Sequence, residues 1–233
     1  MTLTPDELTS LRRKCDQLAD GPDYRCKNYV ANLLNMALDF LMNTEVVDKA
    51  TKYFNETHGA TTHEQVEALL ARYPNTKEGN LSLAKFLWNY NLWSRAEFLR
   101  AITKRLADLE IRDQQSLECW VKKADFKREV KGQFRAGGHS IGPVLFDWLQ
   151  LRCGVETVKA DRHVKNFVSD AVGRRVTAAE AKRGVMAVAK DSGRRASLLD
   201  SAIWHSQHDP ANKQKQVSKQ VSVLTTDTFG ACR

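Results

Sequence analysis

Apolar residues recur at three- and four-residue steps along most of this chain, and stretches alternating with period two are nearly absent. In residues 27–42, KNYVANLLNMALDFLM, the positions Val30, Leu33, Leu34, Ala37, Leu38 and Leu41 share one helical face, which predicts a buried helix. A second is predicted over about 44–57, capped by Thr44, striped by Val46, Val47, Ala50 and Phe54, and stopped at His58-Gly59. Thr62 and Gln65 have the spacing of a capping box, opening a helix that Pro74 closes. Leu83, Phe86, Leu87 and Tyr90, then Ala96, Leu99, Ile102 and Leu106, predict two helices broken near Asn91. Further helices are expected from Asp113 to Phe126, over 143–152 and 161–172, over 177–190 with Thr177 and Glu180 as another capping box, and over 194–205. The fold class expected is all-α. From about Asp209 the chain turns polar, a loosely ordered tail in which Val217, Val221 and Leu224 are the positions available to fold back.

Composition narrows the classes open to such a chain. At 233 residues, one globule or two interdependent lobes is expected. No window approaches the roughly 18 apolar residues of a membrane span, and the N-terminal MTLTPDELTSLRRK lacks the apolar region of a signal peptide. A cytoplasmic protein with no membrane partner is the expectation. Cysteines 15, 26, 119, 153 and 232 are odd in number and scattered, with no CxxC spacing, so they read as reduced thiols. That pattern argues against a zinc site or iron–sulfur cluster, and neither metal nor cofactor is expected. Trp88, Tyr90 and Trp93 read as base-stacking groups or, at helical spacing among leucines, as core.

Charge changes the picture more. Residues 1–120 carry 15 Lys and Arg against 17 Asp and Glu, a net of −2, whereas residues 121–233 carry 21 against 11, a net of +10. Positive charge concentrated in this way is the footprint of a polyanion binder, the alternative being an inert basic surface. The run KKADFKREVKGQFR, taken alone, reads as an exposed helical face.

Within the basic half lies GGHSIGPVLFDWLQLRCGVETVKADRHVKNFV, residues 137–168. It reads as a glycine-flanked hairpin, a buried helix, a short turn, and an aspartate opening another helix. His139-Ser140-Ile141-Gly142-Pro143 is similar to the turn of helix-hairpin-helix modules, where backbone N–H groups and the positive end of a helix dipole face a DNA phosphate. His139 and Ser140 stand where that turn usually has proline and glycine, although Gly137 and Gly138 lie just upstream. KADRHVKNF resembles the segment in which an aspartate opens the following helix, and Asp161 falls 19 residues beyond Gly142. On these motifs the chain resembles the helix-hairpin-helix superfamily of base-excision DNA glycosylases. The likeness extends loosely over about 28–208, and only 137–168 is specific.

The resemblance implies a two-lobed helical fold spanning residues 1–208, with double-stranded DNA in a cleft between the lobes. Lobe one would comprise about 30–154, including the hairpin 137–143; lobe two would comprise 1–29 with 155–208, followed by the tail 209–233. It implies Asp161 as the catalytic carboxylate, an assignment compatible with helix capping. Phosphates would be held by Gly138, His139, Ser140, Ile141 and Gly142, with Lys159 and Arg162 beside the aspartate. His163 would support the helix start, and Lys165 would add general positive charge. Phe40, Met42 and Asn43 match the loop that fills the hole left by a flipped base, Met42 reading equally as core, and Trp204 would line the base pocket or simply pack.

Bifunctional members carry a nucleophilic lysine just after the hairpin, where this chain has Pro143, Val144 and Leu145. The function implied is a monofunctional glycosylase that removes a damaged or modified base by hydrolysis, in repair or in defence against phage DNA with modified, for example glucosylated, bases. It would act as a monomer, without lyase activity. A non-catalytic helix-hairpin-helix DNA-binding module and a helical scaffold with a basic partner-binding face are the alternatives.

Overall fold

A computed structural model describes residues 2–39 and 42–208. Among these the chain is mostly helical: α1 (Pro5–Cys15), α2 (Tyr29–Leu38), α3 (Thr44–Thr57), α4 (His63–Leu70), α5 (Lys77–Trp88), α6 (Trp93–Asp108), α7 (Gln114–Lys123), a π-helical turn (Phe126–Val130), α8 (Pro143–Arg152), α9 (Arg162–Val172), α10 (Ala178–Asp191) and α11 (Ala196–His208). The two short strands β1 (Arg135–Ala136) and β2 (His139–Ser140) pair antiparallel. The all-α expectation therefore holds. Leu41, Phe40 and the tail positions Val217, Val221 and Leu224 lie outside the described residues. Two compact units divide the chain, Tyr24–Glu156 and Met1–Asp23 with Thr157–Arg233.

In the central unit, Tyr24–Glu156, α6 packs against α2, α4, α5 and the hairpin strands. Its apolar face carries Phe98, Leu99, Ile102 and Leu106 into a core with Leu33, Leu34, Leu38, Phe54, Leu83 and Leu87. Trp88 is fully buried there, which makes it core and not a stacking group. Arg95, also buried, donates to the carbonyl of Ala37 at 3.2 Å and so satisfies one of the carbonyls left open in the last turn of α2. Side chains start the helices as their residue types dictate: Asn28, Thr62, Thr76 and Asp113 cap α2, α4, α5 and α7. For α3 the cap is Asn43, one residue before the Thr44 expected from sequence. An amide side chain and a hydroxyl compete for the same role there, and Asn43 has the extended backbone the cap needs.

The other unit assembles α1 with α9, α10 and α11. Leu3, Leu11 and Cys15 pack with Val164, Phe167, Val168, Ala181, Val185, Leu199 and Ile203 in a second core. The sequence expectations contained no α1, although Thr4 and Glu7 form a capping box and Pro5 occupies the first helical position. Gly184 lets α10 approach α1 and the residues before it, since a Cβ there would stand 2.6 Å from a methyl of Leu3 and 3.2 Å from one of Leu11. Cys15 here and Cys153 in the central unit are buried thiols whose pKa burial pushes up to about 12, so neither is a reactive thiolate. Among the described residues Cys26 and Cys119 likewise form no disulfide.

At the start of α10, Glu180 accepts from the Thr177 amide at 2.9 Å and from its hydroxyl at 2.9 Å, and pairs with Arg174 at 3.3 Å. These contacts, the Thr177 amide first, hold its pKa at about 2 against an ordinary 4.5. A depressed carboxyl contributes stability above its unfolded value and loses it as pH falls through the folded one. Thermal unfolding followed from neutrality toward about pH 2 is expected to show Glu180→Gln less stable than wild type at neutral pH. The gap should close in acid.

Candidate nucleic-acid and catalytic site

The hairpin turns through Gly137 and Gly138, both with positive φ, at 58° and 78°. Two successive left-handed residues between paired strands match a type I′ turn, whose twist suits a tight hairpin. Ala136 pairs with His139 and Arg135 with Ser140. Gly137 has a second reason to be glycine, because a Cβ would lie 2.3 Å from the Ser94 carbonyl oxygen in the first turn of α6. The Ser94 hydroxyl meets His139 Nε2 at 2.9 Å, and the His139 ring leans on Phe98 with centroids 5.8 Å apart. Burial, with the Arg95 charge adding to it, lowers the His139 pKa. The imidazole thus belongs to the contact with α6.

Ile141 is buried, and its N–H donates to the Phe134 carbonyl at 3.3 Å, so that donor is already engaged. Gly142 has extended backbone and begins α8, with Pro143 at the first helical position and no side-chain cap. Open space surrounds Gly138 and Gly142 on the side a Cβ would occupy. Uncapped first-turn amides leave the positive end of the α8 dipole available to an anion. Met42 is partly buried against the same unit's core, and Asn43 is occupied in accepting from the Glu45 amide at 2.9 Å. Phe40 lies outside the described residues.

Asp161 stands in the other unit, half-buried at the start of α9. Its Oδ1 accepts from the amides of His163 at 2.8 Å and Val164 at 3.2 Å. Among the described residues its second oxygen takes no hydrogen bond. One carboxylate oxygen therefore holds the helix start while the other remains open to a ligand or water. The preceding segment is tied down by Asp200, a buried acid on α11 that accepts from the Lys159 amide at 2.8 Å. Asp200 was not among the expected site residues. The signal for it was a single acid within the apolar run LLDSAIW.

Arg162 Nε donates to His163 Nε2 at 3.2 Å. A guanidinium can only donate, so that nitrogen is an acceptor and the imidazole is neutral. The His163 pKa is correspondingly lowered, by burial first, while Asp161 pushes it up and His208, Arg162 and Lys159 push it down. Trp204 stacks on His208 at 3.8 Å and meets His163 edge-on at 6.4 Å, which completes a ring cluster around the start of α9. Lys159, Asp161, Arg162 and Trp204 thus gather in one unit, and Gly138, His139, Ser140, Ile141, Gly142, Met42 and Asn43 belong to the other. The central unit also contains a cavity of about 480 Å³ lined by α2, α3 and α8, with Asp39, Asp48, Lys52, Trp148 and Arg152 around it. None of these was singled out from sequence, since acids and bases on helices usually mark solvated faces.

A family model described as a domain of unknown function (DUF8548) matches residues 39–208, and the chain belongs to that family. No curated protein and no solved structure matches it.

Two measurements check this geometry. Gly137→Ala combines a left-handed backbone with a clash against Ser94 and is expected to cost about 1–3 kcal/mol in chemical denaturation, whereas Gly142→Ala should be close to neutral. Nuclear magnetic resonance titration of His163 should give a midpoint below the ordinary 6.5, lowered further in Asp161→Asn because the one carboxylate that raises it is gone.

Proposed function

We propose that this member of the DUF8548 family is a monofunctional DNA glycosylase of helix-hairpin-helix type, which extrudes a damaged or modified base and hydrolyses its bond to the sugar. The observation that carries the reading is the divided role of Asp161, one oxygen fixed by two amides and the other unengaged. A carboxylate held in this way is oriented without being consumed, as is needed to stabilise the positive charge that builds on deoxyribose or to aim the attacking water. The uncapped start of α8 supports the reading from the DNA side. So does the open space beside Gly142, the N-cap of α8, which admits close approach of a phosphate.

Pro143, Val144 and Leu145 hold the positions where a lyase would carry its lysine, so water is the nucleophile and an abasic site the product. The helix-hairpin-helix architecture and its DNA cleft belong to this proposal, as do a monomeric state and a base arising from damage or from phage modification. One observation favours a second reading, a DNA-binding module without chemistry: helix capping alone accounts for the position of Asp161.

Asp161→Asn separates the two. Asn caps a helix nearly as well as Asp, so the fold should persist with a loss of no more than about 1 kcal/mol. Mass spectrometry of bases released from a panel of damaged, cellular and phage DNAs should show a product with wild type and none with the variant. Borohydride should trap no covalent adduct. An active variant removes Asp161 from the chemistry; binding without release from any DNA by wild type selects the binding module.

A further inference from the structure

The basic run between α7 and β1 is built differently from an ordinary solvated helix face. Lys122, Lys123, Lys127, Arg128, Lys131 and Arg135 are all exposed. Only Arg128 forms an ion pair among the described residues, with Asp125 at 3.8 Å. Both acids of the run are turned to the backbone: Asp125 accepts from the Arg128 amide at 2.9 Å, and Glu129 accepts from the Asp125 amide at 3.0 Å. They build the π-helical turn and leave the cations outside it. Beneath, Phe134 and Val130 are buried, and Trp120 meets Phe134 and Phe146 at 5.7 and 6.1 Å while Phe126 meets Phe146 at 5.9 Å. Phe146 is the fourth residue of α8. An aromatic underlay therefore holds the cationic run against the start of the helix whose amides are uncapped.

We propose that these six side chains form a sequence-independent track for duplex DNA phosphates, continuous with the α8 N-terminus. The inference rests on the reading of DNA as partner and adds a second strip of phosphate-binding groups to it. The chemistry favours nucleic acid over an acidic protein. Protein interfaces are centred on apolar or aromatic anchors; among the described residues the exposed large hydrophobic is Met186, on α10 in the other unit. A phosphate backbone asks only for flexible point charges at intervals, which lysines supply.

The test is fluorescence anisotropy of the full chain on an unmodified duplex across a range of salt. It compares wild type, the triple variant Lys122→Gln, Lys127→Gln and Lys131→Gln, and a control triple Lys49→Gln, Lys85→Gln and Lys104→Gln of equal net charge. Removing one lysine–phosphate pairing lowers the slope of log K against log salt by about 0.9, so the track variant should fall by about 2–3 and the control by far less. Unchanged melting temperatures confirm that both variants are folded. Equal effects of the two triples, or an unchanged slope in the track variant, would overturn the track while leaving DNA as partner. Failure of wild type to bind any duplex overturns both inferences, and preference for polyglutamate over duplex would reassign the surface to an acidic protein.

Discussion

The approach of the Gly137 backbone to Ser94 is the contact on which the central unit's hairpin depends. With no side chain between them, β1 and β2 settle on the first turn of α6, and the Ser94–His139 hydrogen bond and the Phe98–His139 ring contact follow. Ile141 then enters the core and ties its amide to Phe134, and α8 begins two residues later. The direction in which the α8 amides point is thus set by a glycine more than one helical turn away in sequence. The hairpin is a spacer fixed to α6, and the histidine within it is a strut.

At the start of α9 the governing quantity is charge. Asp161 accepts from two backbone amides at the positive end of the helix dipole. Next to it, burial first and then His208, Arg162 and Lys159 lower the His163 pKa, although the carboxylate opposes them. An anion and a neutral imidazole side by side, capped by Trp204 and His208, give one group able to stabilise positive charge and another able to accept a proton only weakly. Asp200 adds the mechanical part, since its buried carboxylate fixes the Lys159 amide two residues before Asp161.

The helices were legible from sequence where apolar spacing and a cap agreed. Val30, Leu33 and Leu34 declared α2, and Thr177 with Glu180 declared α10. Sparse stripes hid other elements. α1 buries only Leu11 and Cys15 within its span, so periodicity failed while its capping box, TPDE, lay in view. In the basic run, Phe126, Val130 and Phe134 turn inward at four-residue spacing, but the surrounding lysines masked that stripe, and the helix expected to reach Phe126 ends at Lys123. Asp161 as a helix cap was legible from local chemistry alone. Asp200, His208 and the acids around the 480 Å³ cavity were not, because they reach their places through tertiary packing that no local pattern encodes.

The discontinuity of the unit that holds Asp161 has a consequence during synthesis. Leu3, Leu11 and Cys15 are synthesised well before their partners on α9, α10 and α11, which arrive about 150 to 200 residues later. At translation rates of about 5–20 residues per second, that interval is on the order of ten seconds. An eleven-residue helix is marginal in water by itself, so through this interval α1 frays and its apolar side chains Leu11 and Cys15 lack their partners. The central unit, encoded without interruption, has no such wait. It is the N-terminal helix, remote in sequence from Asp161, that nascent-chain chaperones would have the longest opportunity to hold.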